Sequence, residues 1–310
     1  MAVPGPRLNI YDAVAANRWR TVGLVGVFTG LVALIGYVGG EYFTPGGGVA
    51  LLPAALGFSA LTSAGSYFAG DKLVLAQSQA KALPADAEPQ LRNIVETLAI
   101  GLGIDPPKIY VIDDTAPNAF ATGRDRKHAS IAVTKGLLEK LDRTELEGVI
   151  AHEMSHVVNR DIRVMLLVTV LVGTVALISD GLLRSMQFGG GRRRGRDGGG
   201  GGAGIIAIVA IVLAILTPII ATLIQLAVSR QREYLADASG AMLTRYPPGL
   251  ASALKKIAAD PEALEVANKA TASLYIANPL KDRPAFMDGL FNTHPPIAER
   301  VKRLEAMGGP

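Results

Sequence analysis

The sequence predicts an α-helical membrane protein that also carries a polar, mainly helical α+β domain. Hydrophobic residues make up 49 % of the 310 residues and charged residues only 19 %, and the mean hydropathy of +0.31 is high for a water-soluble enzyme. Apolar runs and polar stretches alternate along the chain. The chain has no cysteine, which excludes disulfides, thiol nucleophiles and thiolate metal ligands.

The first two apolar runs predict a transmembrane hairpin within an N-terminal unit, residues 1–71. Twenty uncharged residues extend from Thr21 to Gly40 and twenty-five from Gly46 to Gly70, each enough to cross a hydrocarbon core of about 30 Å. Three arginines precede the first run, whereas the turn between the runs has no basic residue. The positive-inside rule therefore places the N-terminus and the polar sequence after the hairpin in the cytoplasm, with the hairpin in the lipid bilayer of the cell membrane.

Residues 164–229 predict a second hydrophobic hairpin. Val164–Ser179 has sixteen uncharged residues, which is short for a membrane span, and Ala203–Ser229 has twenty-seven. A linker of glycine and arginine, residues 189–202, joins them. We expect both runs to cross, which gives four transmembrane helices, although the linker arginines then lie outside, against the positive-inside rule. If neither run crosses, their apolar side chains need another place to be buried.

The polar sequence falls into two halves of one domain, residues 72–163 and 230–310, which must lie on the same side of the membrane. In the first half, apolar residues at helical spacing from Leu91 to Leu102 predict a helix that glycines 101 and 103 terminate. The predicted strands are Lys108–Ile112, Ala119–Gly123 and Ala129–Thr134. In the second half, a helix contains Leu250, Leu254 and Ile257, and a last one follows Pro295 and Pro296.

A further helix of the first half carries His152-Glu153-Met154-Ser155-His156, and the capping-box pattern of Thr144 and Glu147 predicts its start. Histidines four residues apart lie one turn above each other, so both imidazoles can bind one tetrahedral Zn²⁺. Glu153 is then the general base that takes a proton from zinc-activated water. The alternative is an ordinary helix face, which the rarity of this pattern and its helical context disfavour.

A catalytic zinc site needs a third protein ligand, which without cysteine must be His, Asp or Glu. The candidate is Glu233, which follows the last apolar run. Asp237 lies one helical turn further, where it can accept the free N–H of a ligating imidazole. A Glu/Asp pair beside Arg230 and Arg232 is, however, more often an exposed helix face, and spacing alone leaves this alternative open.

Together these motifs resemble the HtpX family of membrane zinc metallopeptidases, relatives of the CAAX prenyl proteases. The resemblance covers nearly the whole chain and includes residues 117–123 and Thr293-His294-Pro295-Pro296 with Arg300. It implies a zincin-like metallopeptidase domain in the cytoplasm with one Zn²⁺ held by His152, His156 and Glu233. It also implies an endopeptidase that acts in the quality control of damaged membrane proteins. The Gly/Arg linker departs from the family pattern.

Metallopeptidases of this type hold an extended substrate against the edge of a strand, which makes Asn118, Ala119 and Phe120 candidate substrate-binding residues. The alternative is a plain hairpin in which Asn118 only forms a turn. His294 is a candidate donor to the oxyanion, or else a structural residue at the entry to the last helix. His128 lies in a charged turn and is expected only to be exposed.

The predicted metal ligands lie close to the apolar runs, with His156 eight residues before Val164 and Glu233 four residues after Ser229. The expected substrates are therefore cytoplasmic loops or unfolded tails of membrane proteins.

One alternative is a CAAX-type prenyl-protein endopeptidase, for which four spans are too few to form a lipid chamber. Another is a non-catalytic scaffold or chaperone, which the presence of Glu153 disfavours. A third is binding of nucleic acid or anionic lipid by Arg192–Arg196; we expect a solvated linker there and no nucleic-acid partner.

Overall fold

The computed structural model of the protein describes residues 10–171, 173–174, 230–267, 271–280 and 295–308. The predicted Gly/Arg linker, the fourth apolar run and His294 lie outside the described residues.

The first two apolar runs form a helical hairpin, as predicted, of α1 (Ile10–Phe43) and α2 (Gly47–Gln77). Both helices contain segments long and apolar enough to cross a membrane, Trp19–Val38 in α1 and the whole of α2. The hydroxyls of Thr29 and Ser59 join the helices at 2.7 Å. Large apolar side chains on the outside of the hairpin are exposed, among them Trp19 and Leu61, both 75 % exposed. Such an exposed apolar surface is suited to a lipid environment.

The domain that follows contains a four-stranded sheet in the order β1-β2-β4-β3. The strands are β1 (Lys81–Ala82), β2 (Lys108–Ile112), β3 (Ala119–Gly123) and β4 (Ala129–Thr134). β2 and β4 are parallel, whereas β1 with β2 and β3 with β4 are antiparallel. The three predicted strands are confirmed, and β1 is an addition. Strand β3 is the last of the sheet, so one of its sides is an edge.

The described helices of this domain surround one apolar core. They are α3 (Pro89–Leu102), α4 (Lys135–Lys140), α5 (Arg143–Val158), α6 (residues 161–171), α7 (Arg230–Thr244), α8 (Pro247–Ala259) and α9 (Ile297–Met307). α3 ends at Gly103, whose φ of +64° suits glycine, so the predicted stop is confirmed at Gly103, whereas Gly101 lies within the helix. The core joins the two polar halves through buried residues of α3, α5, α8 and α9, namely Leu91, Ile94, Val149, Ile150, Leu254, Ile257, Val301 and Leu304.

The sheet is covered on both faces. Ile131 and Val133 of β4 belong to the helical core, whereas Ala132 of β4 and Phe120 of β3 pack with Val74 at the end of α2. Every residue of β3 and β4 is therefore buried. The sheet thus links the apolar hairpin to the helices of the polar domain.

The start of α5 corrects a prediction. Its N-cap is Asp142, whose Oδ1 accepts from the backbone N–H groups of Thr144 and Glu145 at 2.8 and 3.0 Å. Glu145 completes the capping box by accepting from the N–H of Asp142 at 2.9 Å. The predicted box of Thr144 and Glu147 is wrong because the same spacing occurs two residues earlier, where Asp serves as the cap.

The beginning of the third apolar run is helical and packs against the first hairpin. Within α6, Leu171 is buried with Phe28 and Leu31 of α1, and Leu166 is buried with Val74 of α2. The rest of this run, from residue 175 on, lies outside the described residues.

Candidate metal centre

The candidate centre lies where α5 meets α7. α5 carries His152, Glu153 and His156, and α7 carries Glu233 and Asp237; all five side chains are buried. Residues 233, 237 and 240 follow each other at helical spacing and share one face of α7. The third of them is Gly240, where a Cβ would lie only 3.0 Å from the backbone nitrogen of His152. A glycine at this position therefore lets the two helices approach closely.

Three side chains converge as a tetrahedral ion requires. Nε2 of His152 and Nε2 of His156 are 3.2 Å apart, and each lies 3.7 Å from a carboxylate oxygen of Glu233. Bonds of about 2.0–2.2 Å to a tetrahedral Zn²⁺ place ligand atoms about 3.3–3.6 Å from one another. His152, His156 and Glu233 are thus brought together at spacings that fit this ion.

The outer nitrogens of the two imidazoles support the same interpretation. Nδ1 of His152 lies 3.0 Å from Asp237 Oδ1, and Nδ1 of His156 lies 3.1 Å from Asp161 Oδ2. An Nδ1–H donated to a carboxylate leaves a lone pair on Nε2. Two such lone pairs, facing each other at 3.2 Å in a buried place, are stabilised by a positive charge between them, either a proton on one imidazole or a metal ion. The donor set therefore fits a metal ion, and three protein ligands leave a fourth position for water.

Charge in the centre also favours a cation. Burial lowers the pKa of His152 to about 4, which keeps this imidazole neutral and able to ligate. Burial likewise lowers the pKa of His156, but the carboxylates of Asp161 and Glu233 outweigh it and raise this pKa to about 9. The surrounding carboxylates thus favour positive charge at His156, one of the two imidazoles that a metal would use.

Glu153 lies between the metal-ligand group and the edge strand. Burial raises the pKa of its carboxyl to about 7, with a further contribution from the charge of Glu233. The backbone N–H of Ala121 in β3 partly opposes this rise in the pKa. A buried carboxylate with such a pKa, next to a site for metal-activated water, is suited to general-base chemistry.

The predicted substrate-binding residues lie at one end of β3 and are buried. The carbonyl of Asn118 accepts from the N–H of Thr134, so residues 119, 121 and 123 direct their backbone groups to the outer edge. The protein's own residues 275–277 lie along this edge: Ile276 N–H donates to the Ala119 carbonyl at 2.9 Å, and the Asn118 amide donates to the Ala277 carbonyl at 3.2 Å. The Phe120 ring packs edge-on against Tyr275.

Sequence reasoning missed the contacts that four further residues make around the centre. Asp161 follows His156 by five residues, and only the turn after α5 returns it to the imidazole. Arg300, named above only through the resemblance, is fully buried and binds Asp237 with Nε and Nη2 at 2.9 and 2.7 Å. Asn17 and Arg232 also reach Asp161. A local motif gives no signal for such contacts.

His128 lies away from the centre, half exposed and bonded to Asp125.

The chain is similar to known proteins over most of its length. Residues 85–308 match the family model described as peptidase family M48. Relatives described as "Protease HtpX homolog" are 46 % identical in Dictyoglomus thermophilum, covering 97 % of this chain and 95 % of the relative, and 44 % identical in Thermoanaerobacter pseudethanolicus, covering 97 % and 99 %. The crystal structure of S. mikatae Ste24p superposes with a TM-score of 0.49 at 19 % identity, covering 94 % of this chain and 66 % of that one.

Proposed function

The chain belongs to peptidase family M48 and is a membrane-associated metallopeptidase, and we propose that it hydrolyses polypeptides with one Zn²⁺ held by His152, His156 and Glu233. The observation that carries the proposal is the convergence of these three buried side chains, whose ligand atoms all lie within 4.8 Å of one another. Two imidazoles, one carboxylate and an open fourth position form the donor set of a catalytic zinc site.

A bound Zn²⁺ would supply Lewis-acid chemistry, polarising the scissile carbonyl and lowering the pKa of water. Glu153 takes a proton from the attacking water and delivers it to the leaving amine. Its buried carboxyl, with a pKa raised to about 7, can hold and release that proton near neutral pH. Asp237 and Asp161 keep the two imidazoles in place by accepting their Nδ1–H protons.

We propose that the substrate binds as an extended chain along the outer edge of β3, next to Glu153 at Ala121. This position is supported by the outward direction of the backbone groups at residues 121 and 123. Extension of the pairing to Ala119, and contact of the substrate with Asn118 and Phe120, requires residues 275–277 to move away from the edge. His294 is the proposed donor to the oxyanion, because it lies three residues before α9, whose Arg300 reaches the centre.

The proposed setting is the cell membrane, with four spans and the centre in the cytoplasm. The apolar hairpin of α1 and α2, the packing of α6 against it and the arginines before the first apolar run support this orientation. A centre so close to the bilayer would reach loops and unfolded tails of membrane proteins first. We therefore propose misfolded membrane proteins and unfolded polypeptides as substrates and quality control as the role.

The test compares the full-length protein in detergent with its Glu153→Gln variant, using casein hydrolysis and metal analysis. Both proteins are expected to hold one zinc per chain, but only the unmodified protein should hydrolyse casein, and a chelator should stop it. Glu147→Gln, the same change on the same helix outside the metal-ligand group, serves as the control and should remain active. Hydrolysis by the Glu153→Gln variant would refute the role of Glu153, and a metal-free active protein would refute the proposal.

A further inference from the structure

A buried chain of hydrogen bonds connects the first apolar helix to the metal centre. Asn17 of α1 donates through Nδ2 to Asp161 Oδ1 at 2.6 Å and to the Asn159 carbonyl at 3.1 Å. The other oxygen of Asp161 lies 3.1 Å from Nδ1 of His156. Asn17 is 3 % exposed and Asp161 1 %. Only two hydrogen bonds therefore separate α1 from a proposed zinc ligand.

Asp161 is where three elements meet. Besides α1 and α5, it faces α7, where Nη1 of Arg232 lies 3.8 Å from Oδ1. Arg232 directly precedes Glu233, the ligand from α7. Because the donors from α1 and α5 bind different oxygens, they fix the rotation of the carboxylate as well as its position. The carboxylate in turn fixes the plane of the His156 ring.

Nothing in the proposed reaction uses Asn17. Its amide is nevertheless buried in the first part of α1, where an unbonded polar group is costly. An ordinary anchoring bond would need only the Asn159 carbonyl, whereas the shorter of its two bonds goes to the Asp161 carboxylate. Without the amide, the buried Oδ1 loses its nearest donor, and the carboxylate is free to turn toward Arg232 and away from His156.

We propose that Asn17 is a positioning residue of the metal centre, which makes zinc affinity depend on the docking of the first apolar helix against the peptidase domain. The proposal rests on the proposed zinc site. Zinc is held tightly when α1 lies in place and more weakly when α1 is displaced. The membrane anchor thus regulates the centre as well as localising it.

The test measures the zinc affinity of the full-length protein in detergent by competition with a fluorescent chelator. Asn17→Ala is expected to lower the affinity about tenfold, the lower end of the range for residues that orient metal ligands, and to speed zinc release. Thr29→Val is the matched control. It removes the α1 hydrogen bond to Ser59, twelve residues further along the helix and about 18 Å away, and should leave zinc affinity unchanged.

A double-mutant cycle separates positioning from general stability. If Asn17 acts through Asp161, Asn17→Ala should have little further effect on zinc affinity in an Asp161→Asn protein, whereas independent effects would multiply. Multiplying effects, or an Asn17→Ala protein with the zinc affinity of the unmodified one, would overturn the inference. Asn17→Leu keeps the side-chain volume and replaces Asn17→Ala if that variant folds poorly. Failure of the unmodified protein to bind zinc would instead refute the proposed function.

Discussion

At the scale of single residues, the centre depends on charges that do not touch the metal. Asp237 accepts from His152, and Arg300 neutralises Asp237 with two parallel hydrogen bonds. Arg300 also donates to the Ile276 carbonyl at 2.9 Å, in the segment that lies along β3. One guanidinium thus holds the imidazole partner and the segment at the substrate edge together. The planar guanidinium carries several donors in fixed directions, so it can bind both groups at once. A lysine ammonium group could not do this.

We expect Arg300→Met to lower the free energy of unfolding by about 3–5 kcal/mol, because it leaves the carboxylate of Asp237 buried without its cationic partner. Arg300→Lys restores the charge but not the paired geometry, so it should recover only part of the loss. Arg303, three residues later on α9, is half exposed and pairs with Glu299 at 2.8 Å. Arg303→Met, the control, should cost about 1 kcal/mol or less. Chemical denaturation in detergent measures all three, and equal losses at both positions would contradict the argument.

At the scale of elements, the distance between α5 and α7 decides whether the ligands meet. The face of α7 that carries Glu233 and Asp237 continues to Gly240, which lies against the backbone of His152. The two carboxylates can reach the imidazoles because nothing larger than a hydrogen separates the helices at that point. Because the helices approach so closely, the addition of one methyl group at this position would change the distance between α5 and α7.

Gly240→Ala should weaken zinc binding. Its Cβ would lie 3.0 Å from the backbone nitrogen and 3.3 Å from the Cα of His152, and overpacking of this kind costs about 1–3 kcal/mol. The gain in helix propensity, about 1 kcal/mol, does not offset it. At Gly101 in α3, a Cβ would meet only the Leu243 side chain at 3.4 Å, so Gly101→Ala should keep full zinc affinity and gain stability. Unchanged affinity in the Gly240→Ala protein would show that the helices tolerate separation.

The start of α5 predicts a pH dependence of stability. Burial raises the pKa of Glu145, but hydrogen bonds from Lys256, Ser252 and the Asp142 backbone outweigh it and hold the pKa below its usual value. A folded pKa below the unfolded one stabilises the protein above the unfolded pKa, and this contribution disappears as pH falls through the folded pKa. These bonds join the cap of α5 to α8.

Glu145→Gln should therefore lower the free energy of unfolding by about 1–3 kcal/mol at pH 7, and the difference should shrink below about pH 4. Denaturation at several pH values measures this difference. The exposed Glu139, on α4, provides Glu139→Gln as a control that should differ from the unmodified protein by less than about 0.5 kcal/mol. A loss at Glu145 that stays constant from pH 7 to pH 3 would exclude the ionised carboxylate as its source.

Local patterns explain which elements could be predicted. The helical spacing from Leu91 and the strand composition of Ala129–Thr134 are properties of neighbouring residues, and both elements are confirmed. The capping box was predicted at the wrong residues because the pair Asp142 and Glu145 has the same spacing as the pair Thr144 and Glu147. Only the residue at which α5 begins distinguishes the two pairs. β1 has two residues and depends on pairing with β2, which its own sequence does not specify.

At the scale of the whole molecule, the centre is assembled from segments that are distant along the chain. The HExxH pattern could be found because both histidines and Glu153 belong to one helix. Asn17 and Arg300 lie at opposite ends of the sequence, and their contacts with Asp161 and Asp237 exist only after the hairpin and the last helix have packed onto α5. Sequence reasoning therefore predicted the three groups that the structure brings together, but not the network that surrounds them.

This assembly predicts that zinc stabilises the folded protein as a whole. Glu233 follows His156 by 77 residues, so an unfolded chain does not present the three ligands together. Binding to the native state alone adds about 2.7 kcal/mol at a free zinc concentration 100 times the Kd. Thermal unfolding with zinc and after chelation should differ accordingly, and the Glu153→Gln protein should keep the whole difference because Glu153 is not a ligand. Glu233→Ala leaves only the two imidazoles and should lose most of it. A full zinc-dependent shift in that variant would remove Glu233 from the ligand set and leave the close packing of α7 on α5 without a role in metal binding.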